Sequence, residues 1–165
     1  MTLYYGKYRG KVSQNKDPDK LGRVQVTCPA VLGDGQASWA MPCVPFAGNG
    51  VGFFTVPPEG ANVWIEFEGG DQNHPILAGC FWGDDEVPAE DGNPDLKVWK
   101  TNGVTLTIND KKNDGGLTIE VKPPVVSKPL TLKFSSDGIE LVNGQSKVKL
   151  SDTTVSVNDD ALEVT

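Results

Sequence analysis

The residues of this chain that could support catalysis are mainly carboxylates. Glu66, Glu68, Asp71 and Asp84 lie within a short stretch of sequence. Two carboxylates at a suitable separation can act as the acid and the base or nucleophile of a glycosidase. However, none of the four belongs to a recognisable pocket motif, and no Ser-His-Asp pattern, phosphate-binding loop or metal cluster is apparent. We therefore interpret these groups as solvated charges on strands and loops, and we expect a protein that is not an enzyme and has no catalytic residue.

Three cysteines and one histidine are the candidate metal ligands. Cys28, Cys43 and Cys80 lie in apolar surroundings, and no two of them form a Cys-x-x-Cys pair. Structural zinc sites usually contain such pairs. His74 precedes Pro75, which favours an extended loop. We therefore predict that the cysteines are buried reduced thiols, that His74 is a surface loop residue, and that the protein holds no metal and no other cofactor.

The charge of the chain limits the class of partner. The 165 residues include 15 Lys and Arg against 22 Asp and Glu, which gives a formal net charge of −7. A general nucleic-acid binder needs a basic surface, so we expect no nucleic-acid partner. Met1 is not followed by an apolar run of signal-peptide or transmembrane length. We expect a protein that is made in the cytoplasm and does not insert into a membrane by itself.

Short segments of alternating polarity, separated by turn residues, run through the whole chain. The 19 Gly and 12 Pro residues interrupt it densely, and no window places apolar residues at helical spacing. This pattern predicts an all-β fold.

Residues 102–165 consist almost wholly of such segments. Because side chains alternate across a strand, each segment places its apolar residues on one face. This set, which we call the stripe, comprises Val104, Leu106, Ile108, Leu117, Ile119, Val121, Leu130, Leu132, Phe134, Ile139, Leu141, Val148, Leu150, Val155, Val157, Leu162 and Val164. A single thin stripe encloses little core. We expect it to pack on the rest of the chain or on copies of itself, and the polar outward residues favour self-association.

Residues 1–84 contain eleven of the thirteen aromatic residues, which predicts a compact globular core. The predicted strands cover residues 4–12, 22–28, 39–44, 53–56, 62–67 and 75–81. Five or six short strands of this kind suit a closed OB-type barrel. We expect Val63, Ile65 and Phe67 to face the barrel interior.

An acidic segment that contains two prolines separates the two parts. It runs from Gly83 to Lys100 and includes Pro88 and Pro94. Its composition predicts a linker. The expected organisation is therefore a barrel at 1–84, a linker at 85–101 and a self-associating β segment at 102–165.

Three stretches of the barrel region resemble the phage baseplate assembly protein V family. PEGANVWIEFEGGDQNHPILAG, at 58–79, looks like the signature of that family. LGRVQVTCP, at 21–29, is similar to its Gly-Arg-Val strand, and SWAMPCVPFAGNGVGFFTVPPEG, at 38–60, is similar to its Trp-Ala strand, Gly-rich loop and following turn. Together they cover roughly residues 4–84 in the order and spacing of the family. The family supplies the central spike of contractile tails, and the same module occurs in type VI secretion spikes.

The resemblance implies an architecture and a set of partners. Spikes of this family are homotrimers, in which three OB barrels lie side by side and the C-terminal strands wind together as an intertwined trimeric β-helix. The stripe would then be the trimer core. A baseplate hub protein would lie above the barrel, and the target cell envelope would be contacted transiently. Such a chain would be a component of a virion baseplate or an extracellular injection particle.

The sequence also departs from some members of the family. Eighteen linker residues leave no room for a lysozyme domain, and the chain starts about three residues before the first predicted strand, without a preceding hub domain. Some short spikes end in a His-x-His iron-binding tip, whereas no His follows His74. We therefore expect a separate PAAR-type tip protein at the C-terminal end, bound by Leu162, Glu163, Val164 and Thr165.

The main functional prediction is a structural central spike that helps to pierce a cell envelope, in a myophage, an R-type pyocin-like particle or an extracellular injection system. The alternative is an OB-fold binding module for oligosaccharide or single-stranded nucleic acid, with Trp39, Phe53, Phe54 and Trp64 as stacking residues. For Arg23, an ion pair at the barrel rim and a contact between subunits are both open.

Overall fold

The computed structural model describes residues 2–89, 92–159 and 161–164. The chain divides into two compact units, Met1–Asp85 and Glu86–Thr165. Nearly all regular structure is β, as the sequence predicts. Within the described ranges, no helix has the length and apolar character needed to cross a membrane.

A closed five-stranded barrel forms the first unit. Its elements in chain order are β1 (Tyr8–Gln14), β2 (Val24–Thr27), α1 (Pro29–Leu32), β3 (Ala37–Pro42), β4 (Ala47–Gly48), β5 (Val51–Gly52), β6 (Asn62–Phe67), a 3-10 turn (Glu68–Gly70) and β7 (Pro75–Cys80). The barrel closes in the order β1-β2-β3-β7-β6, while β4 and β5 form a separate two-stranded hairpin. Neighbouring barrel strands are antiparallel except for β3 and β7, which are parallel. This arrangement confirms the predicted OB-type fold.

The barrel core follows from the alternation of its strands. Val63, Ile65 and Phe67 of β6 are buried, as predicted, together with Val24 and Val26 of β2. Strands that alternate between buried and half-buried positions close around these residues, because the apolar side chains of every strand then share the inside. The remaining buried apolar residues of this cluster are Val12, Cys28, Val31, Ala40 and Leu77.

The prediction that the aromatic residues form this core is wrong. Phe67 is the one buried aromatic side chain in the part of the chain that the structure describes, and Tyr4 and Tyr8 pack against it at the edge. Aliphatic, mainly β-branched, side chains fill the narrow interior of a small barrel instead. The exposed aromatic residues among the described ones are Tyr5, Phe46, Phe53, Phe54, Trp82, Trp99 and Phe134.

One predicted strand of this unit starts later than expected, and another is absent. The first strand begins at Tyr8 rather than at residue 4, because Gly6 takes a positive φ of 87° and turns the chain before it. The strand expected at 53–56 is absent: β5 ends at Gly52, and residues 53–56 continue without regular pairing. The Phe53 N–H still donates to the carbonyl of Phe46, which closes the base of the hairpin.

The second unit is an eight-stranded antiparallel meander. Its strands are β8 (Leu96–Lys100), β9 (Val104–Asn109), β10 (Gly116–Val121), β11 (Leu130–Ser135), β12 (Gly138–Asn143), β13 (Ser146–Leu150), β14 (Val155–Val157) and β15 (Leu162–Val164). Each strand pairs with the next along the chain, so β8 and β15 are the two edges.

Strand β8 corrects the predicted linker, which extended to residue 101. The acidic and proline residues that indicated a linker end at Asp95, and Leu96, Val98 and Trp99 follow as a short strand pattern. The average composition of the segment concealed this change.

Candidate functional site

The stripe lies on one face of the C-terminal sheet, in rows that run across the strands. The central row comprises Leu106, Ile119, Leu132, Leu141, Val148, Val157 and Leu162. One flanking row comprises Ile108, Leu117, Phe134, Ile139, Leu150, Val155 and Val164. The other contains Val104, Val121 and Leu130 and then turns polar at Asn143 and Ser146. Every predicted member of the stripe therefore has a register position on the same face.

This face has no core of its own. Every residue of the buried hydrophobic cluster belongs to the first unit. In the described part of the second unit, each stripe side chain is half-buried or exposed, and Leu141 and Leu162 are 52% and 60% exposed. A sheet needs a partner layer over its apolar face to be stable, and the described residues of the second unit supply none themselves.

The centre of the face is concave. A groove of about 570 Å³ is lined by Ile119, Leu132, Leu141 and other apolar residues of the stripe. Asn143, Ser146 and Asn158 line its polar margin. The surface is therefore shaped to receive apolar side chains from another layer.

The opposite face of the sheet is polar and charged, as the outward residues predicted. Glu140 of β12 lies directly across from Lys133 of β11 and from Lys149 of β13, so opposite charges alternate along neighbouring strands. Glu120 of β10 forms an ion pair with Lys122, with 2.9 Å between the ammonium nitrogen and a carboxylate oxygen. Solvent is the natural environment of this face.

Sequence reasoning missed two residues of the apolar face, because β8 was taken as linker. Trp99 lies opposite Leu106 of the central row, and Lys97 lies opposite Ile108 of a flanking row. Lys97 Nζ is 2.5 Å from a carboxylate oxygen of Asp110. The isolated tryptophan after an acidic segment was the signal in the sequence that could have located this strand.

The residues predicted to bind a tip protein lie at the edge strand β15. This strand pairs with β14 on one side, and its other side is an open edge of the described sheet. Leu162 is exposed there. The side chains of Glu163 and Val164, and the whole of Thr165, lie outside the described residues.

Arg23, for which two roles were open, forms an ion pair within its own chain. Its guanidinium donates to the carboxylates of Asp17 at 2.7 Å and of Asp19 at 2.5 Å. Asp17 also accepts from the backbone N–H groups of Asp19 and Leu21. These hydrogen bonds, first of all the one from Arg23, hold the pKa of Asp17 well below its usual range. The pair fixes the loop between β1 and β2.

The four candidate catalytic carboxylates, Glu66, Glu68, Asp71 and Asp84, form local contacts or are exposed. Glu66 forms an ion pair with Lys7, with 2.5 Å between Nζ of Lys7 and Oε1 of Glu66. Asp71 accepts from the backbone N–H of Asn73, which lowers the pKa of this carboxyl, and it lies 3.2 Å from Nδ1 of His74. His74 is exposed in this loop, as predicted.

The prediction for the cysteines is correct for one of the three. Cys28 is buried, and burial raises the pKa of its thiol. Cys43 and Cys80 are exposed, because each lies at or beside the end of a barrel strand, where apolar neighbours in sequence are themselves at the surface. In the ranges that the structure covers, no group of three potential metal ligands occurs.

The aromatic residues proposed for stacking do not form one platform. The Arg23 guanidinium covers Trp39 of β3 at 5.5 Å from the ring centroid. Trp64 lies on β6, which is not a neighbour of β3 in the barrel, and packs on Phe81 at 4.7 Å between centroids. Phe53 and Phe54 belong to the segment after the hairpin.

Comparison with known families gives a match for each unit. Residues 8–82 match the type VI secretion system/phage-baseplate injector OB domain. Residues 97–163 match the phage baseplate V C-terminal trimerisation domain. The second match begins within β8 and covers all of the stripe except Val164. No curated protein matches the chain.

Proposed function

We propose that this chain, which belongs to the phage baseplate V family, forms the trimeric central spike of a contractile injection machine. The proposed action of the spike is mechanical. The family gives the chain a structural role in the baseplate, and its trimerisation domain supports self-association as a trimer. The finer proposal is that three C-terminal sheets close into an intertwined β-helical needle.

The observation that carries this proposal is the apolar face without a core. The stripe runs from β9 to β15 in continuous rows, but its side chains stay half-buried or exposed in a single chain. Burying them against copies of the same face removes apolar surface from water, which is the main driving force of association. The charged outer face stays in solvent in the same arrangement.

The dimensions of the sheet favour three copies. Same-face residues of one strand are about 6.7 Å apart, so three rows together with the strand ends span roughly 20 Å. Three such sheets around a triangle would each lie about 6 Å from the axis, which agrees with half of the roughly 10 Å that separates packed sheets. Four sheets would lie about 10 Å from the axis and leave a hollow centre.

The proposed needle would be short and stiff. Eight strands spaced about 4.8 Å apart extend roughly 34 Å along the axis. Each chain would cover the apolar face of the next, and the edge strands β8 and β15 would lie at the two ends of the needle. We infer that this rigid prism transmits the axial force of contraction to a small area of a target cell envelope.

The proposed spike has a partner at each end. A baseplate hub protein would hold the barrels, and a PAAR-type tip protein would cover the open edge of β15. The exposed Leu162 and the unpaired backbone of that edge support a capping partner.

A charge in the central row tests the trimer core. Val157→Asp would place three carboxylates at one level of the axis, and each unpaired buried charge costs several kcal/mol. We expect loss of ordered needle structure and a lower Tm of the full-length trimer. Circular dichroism during heating measures this change.

The matched control is Ser156→Asp, which adds the same charge one residue earlier. Ser156 pairs with Lys149 in the register of the opposite face, so its carboxylate would remain in water and near a cation. The Tm of this variant should stay close to that of the unaltered trimer. An unchanged Tm for Val157→Asp would contradict a core at the stripe.

A pull-down tests the proposed tip. The purified trimer should retain the PAAR-type protein of its own system, and Glu163→Lys, at a register position of the outer face of β15, should abolish retention while the trimer persists. Ser136→Lys, in an exposed turn several strands from the edge, should bind as the unaltered protein does. Failure of the unaltered trimer to retain this partner would show that the tip proposal is wrong.

A further inference from the structure

The barrel carries an exposed apolar segment that its own core does not use. No charged residue occurs at positions 35–58, between Asp34 and Glu59. Within it, the hairpin loop, which we define as residues 43–56, contains β4 and β5. Phe46, Val51 and Phe54 are 59%, 59% and 79% exposed, and only Val56 of this loop packs against the barrel core.

The hairpin loop borders an open groove. The groove has a volume of about 540 Å³ and lies between the loop and the residues Lys20, Leu21 and Gly22. A Cβ atom at Gly22 would come within 3.1 Å of the Phe54 ring, so this ring lies directly over the glycine backbone. Leu21, 57% exposed, adds to the apolar rim. Contiguous exposed apolar surface of this kind marks an interaction site.

Three-fold symmetry indicates which surface occupies the groove beside the hairpin loop. Around a three-fold axis, any residue near the axis meets copies of itself, so a charged side chain there would face two like charges. The barrel unit lacks Asp, Glu, Lys and Arg at 24–33, 35–58 and 72–83, and the longest of these stretches contains the hairpin loop. The hairpin loop is therefore an exposed apolar surface of the barrel that tolerates proximity to its own copies.

The connection between the two units keeps copies of the barrel together. Strand β7 ends at Cys80 and β8 begins at Leu96. A connection of this length spans about 50 Å at most, even when fully extended. In a trimer held by the C-terminal sheets, the barrels would thus meet at effective concentrations in the millimolar range, where even a small apolar contact forms.

We propose that the hairpin loop is a clasp between copies of this chain, which packs against the hairpin loops of the neighbouring barrels around the three-fold axis. The occupant of the groove beside Phe54 is then apolar surface of a second copy. This inference rests on the proposed trimer, but it concerns the barrel and not the needle.

Disulfide trapping in the full-length protein tests the clasp. In a C43S/C80S background, which removes the exposed native thiols, Asn49→Cys places one thiol at the tip of the hairpin in each chain. Mild oxidation with copper–phenanthroline should link two of the three copies, so that about two thirds of the chains run as a covalent dimer on a non-reducing gel. Gln72→Cys, in the exposed loop beside Asp71, is the matched control and should give little dimer.

A second pair of variants separates contact from proximity. Phe54→Lys brings three like charges to the clasp and should reduce trapping at position 49 at least five-fold, whereas Phe54→Leu keeps an apolar contact and should trap as before. Light scattering on each sample reports the trimer independently. The clasp is wrong if the trimer forms no more covalent dimer through position 49 than through position 72. It is also wrong if Lys and Leu at position 54 give the same amount of dimer. Either result leaves the proposed function intact. A monomer overturns the proposed function itself.

Discussion

Asp17 shows how one shielded carboxylate of a half-buried residue can organise a loop of a small barrel. Its side chain is 4% exposed and that of Arg23 is 18% exposed. The carboxylate accepts hydrogen bonds from the guanidinium of Arg23 and from backbone N–H groups of the same loop. Because these bonds favour the charged form, the pKa of Asp17 is lowered, and the folded state is stabilised wherever the carboxyl is ionised.

Asp17→Asn should therefore lower the Tm of the barrel by a few degrees at pH 7. The folded-state pKa lies below the unfolded value of about 3.9, so the contribution of Asp17 is complete above about pH 5 and declines as the pH falls further. The difference in Tm between the variant and the unaltered protein should narrow below about pH 5. Thermal melts from pH 7 to pH 2.5 measure it.

Asp19→Asn is the control for this prediction. Asp19 is 64% exposed and meets Arg23 at the surface, where ion pairs contribute little. This variant should change the Tm much less than Asp17→Asn does. An equal effect of the two variants, or a difference that stays constant down to pH 2.5, would contradict the assigned role.

At the scale of the element, alternation along the chain was sufficient to place the stripe. Each strand from β9 to β15 carries its predicted apolar residues on one face, because the two-residue period of a strand fixes the side of every residue. Strand β8 was not predicted, since its five residues follow an acidic, Pro-containing segment that dominates the local composition. Trp99 and Lys97 were therefore missing from the predicted face.

The outer face supplies a test of the strand register. Glu140 lies between Lys133 and Lys149 on adjacent strands. Glu140→Lys would align three cations and should destabilise each chain by about 1 kcal/mol, because directly opposed like charges repel. Thermal melting at low ionic strength should show a lower Tm for this variant.

Glu140→Gln is the matched control, since it removes the attraction without adding repulsion. It should melt between the unaltered protein and the lysine variant. The gap between the two variants should shrink at about 1 M salt, where charges are screened beyond about 3 Å. Identical melting of the two variants at low salt would show that these side chains do not face each other.

At the scale of the whole molecule, the sequence predicted the order of the parts better than their interiors. The barrel fold followed from strand count and turn spacing. The composition of its core did not, because the number of aromatic residues says nothing about which of them are exposed. The aromatic residues of 1–84 were expected as a group to build the core, whereas Phe46, Phe53 and Phe54 lie at the surface. The trimer is not visible in one chain, because its interface exists only between copies; it follows from the uncovered stripe together with the trimerisation-domain match.

The mass of the purified full-length protein tests the central claim most directly. One chain has a mass of 17.7 kDa, so a trimer has a mass of about three times that value. Multi-angle light scattering after size exclusion, on the folded protein at micromolar concentration and below, should give the trimer mass throughout. A folded protein that elutes with the mass of a single chain under these conditions would contradict the proposal that three stripes form the core of a needle.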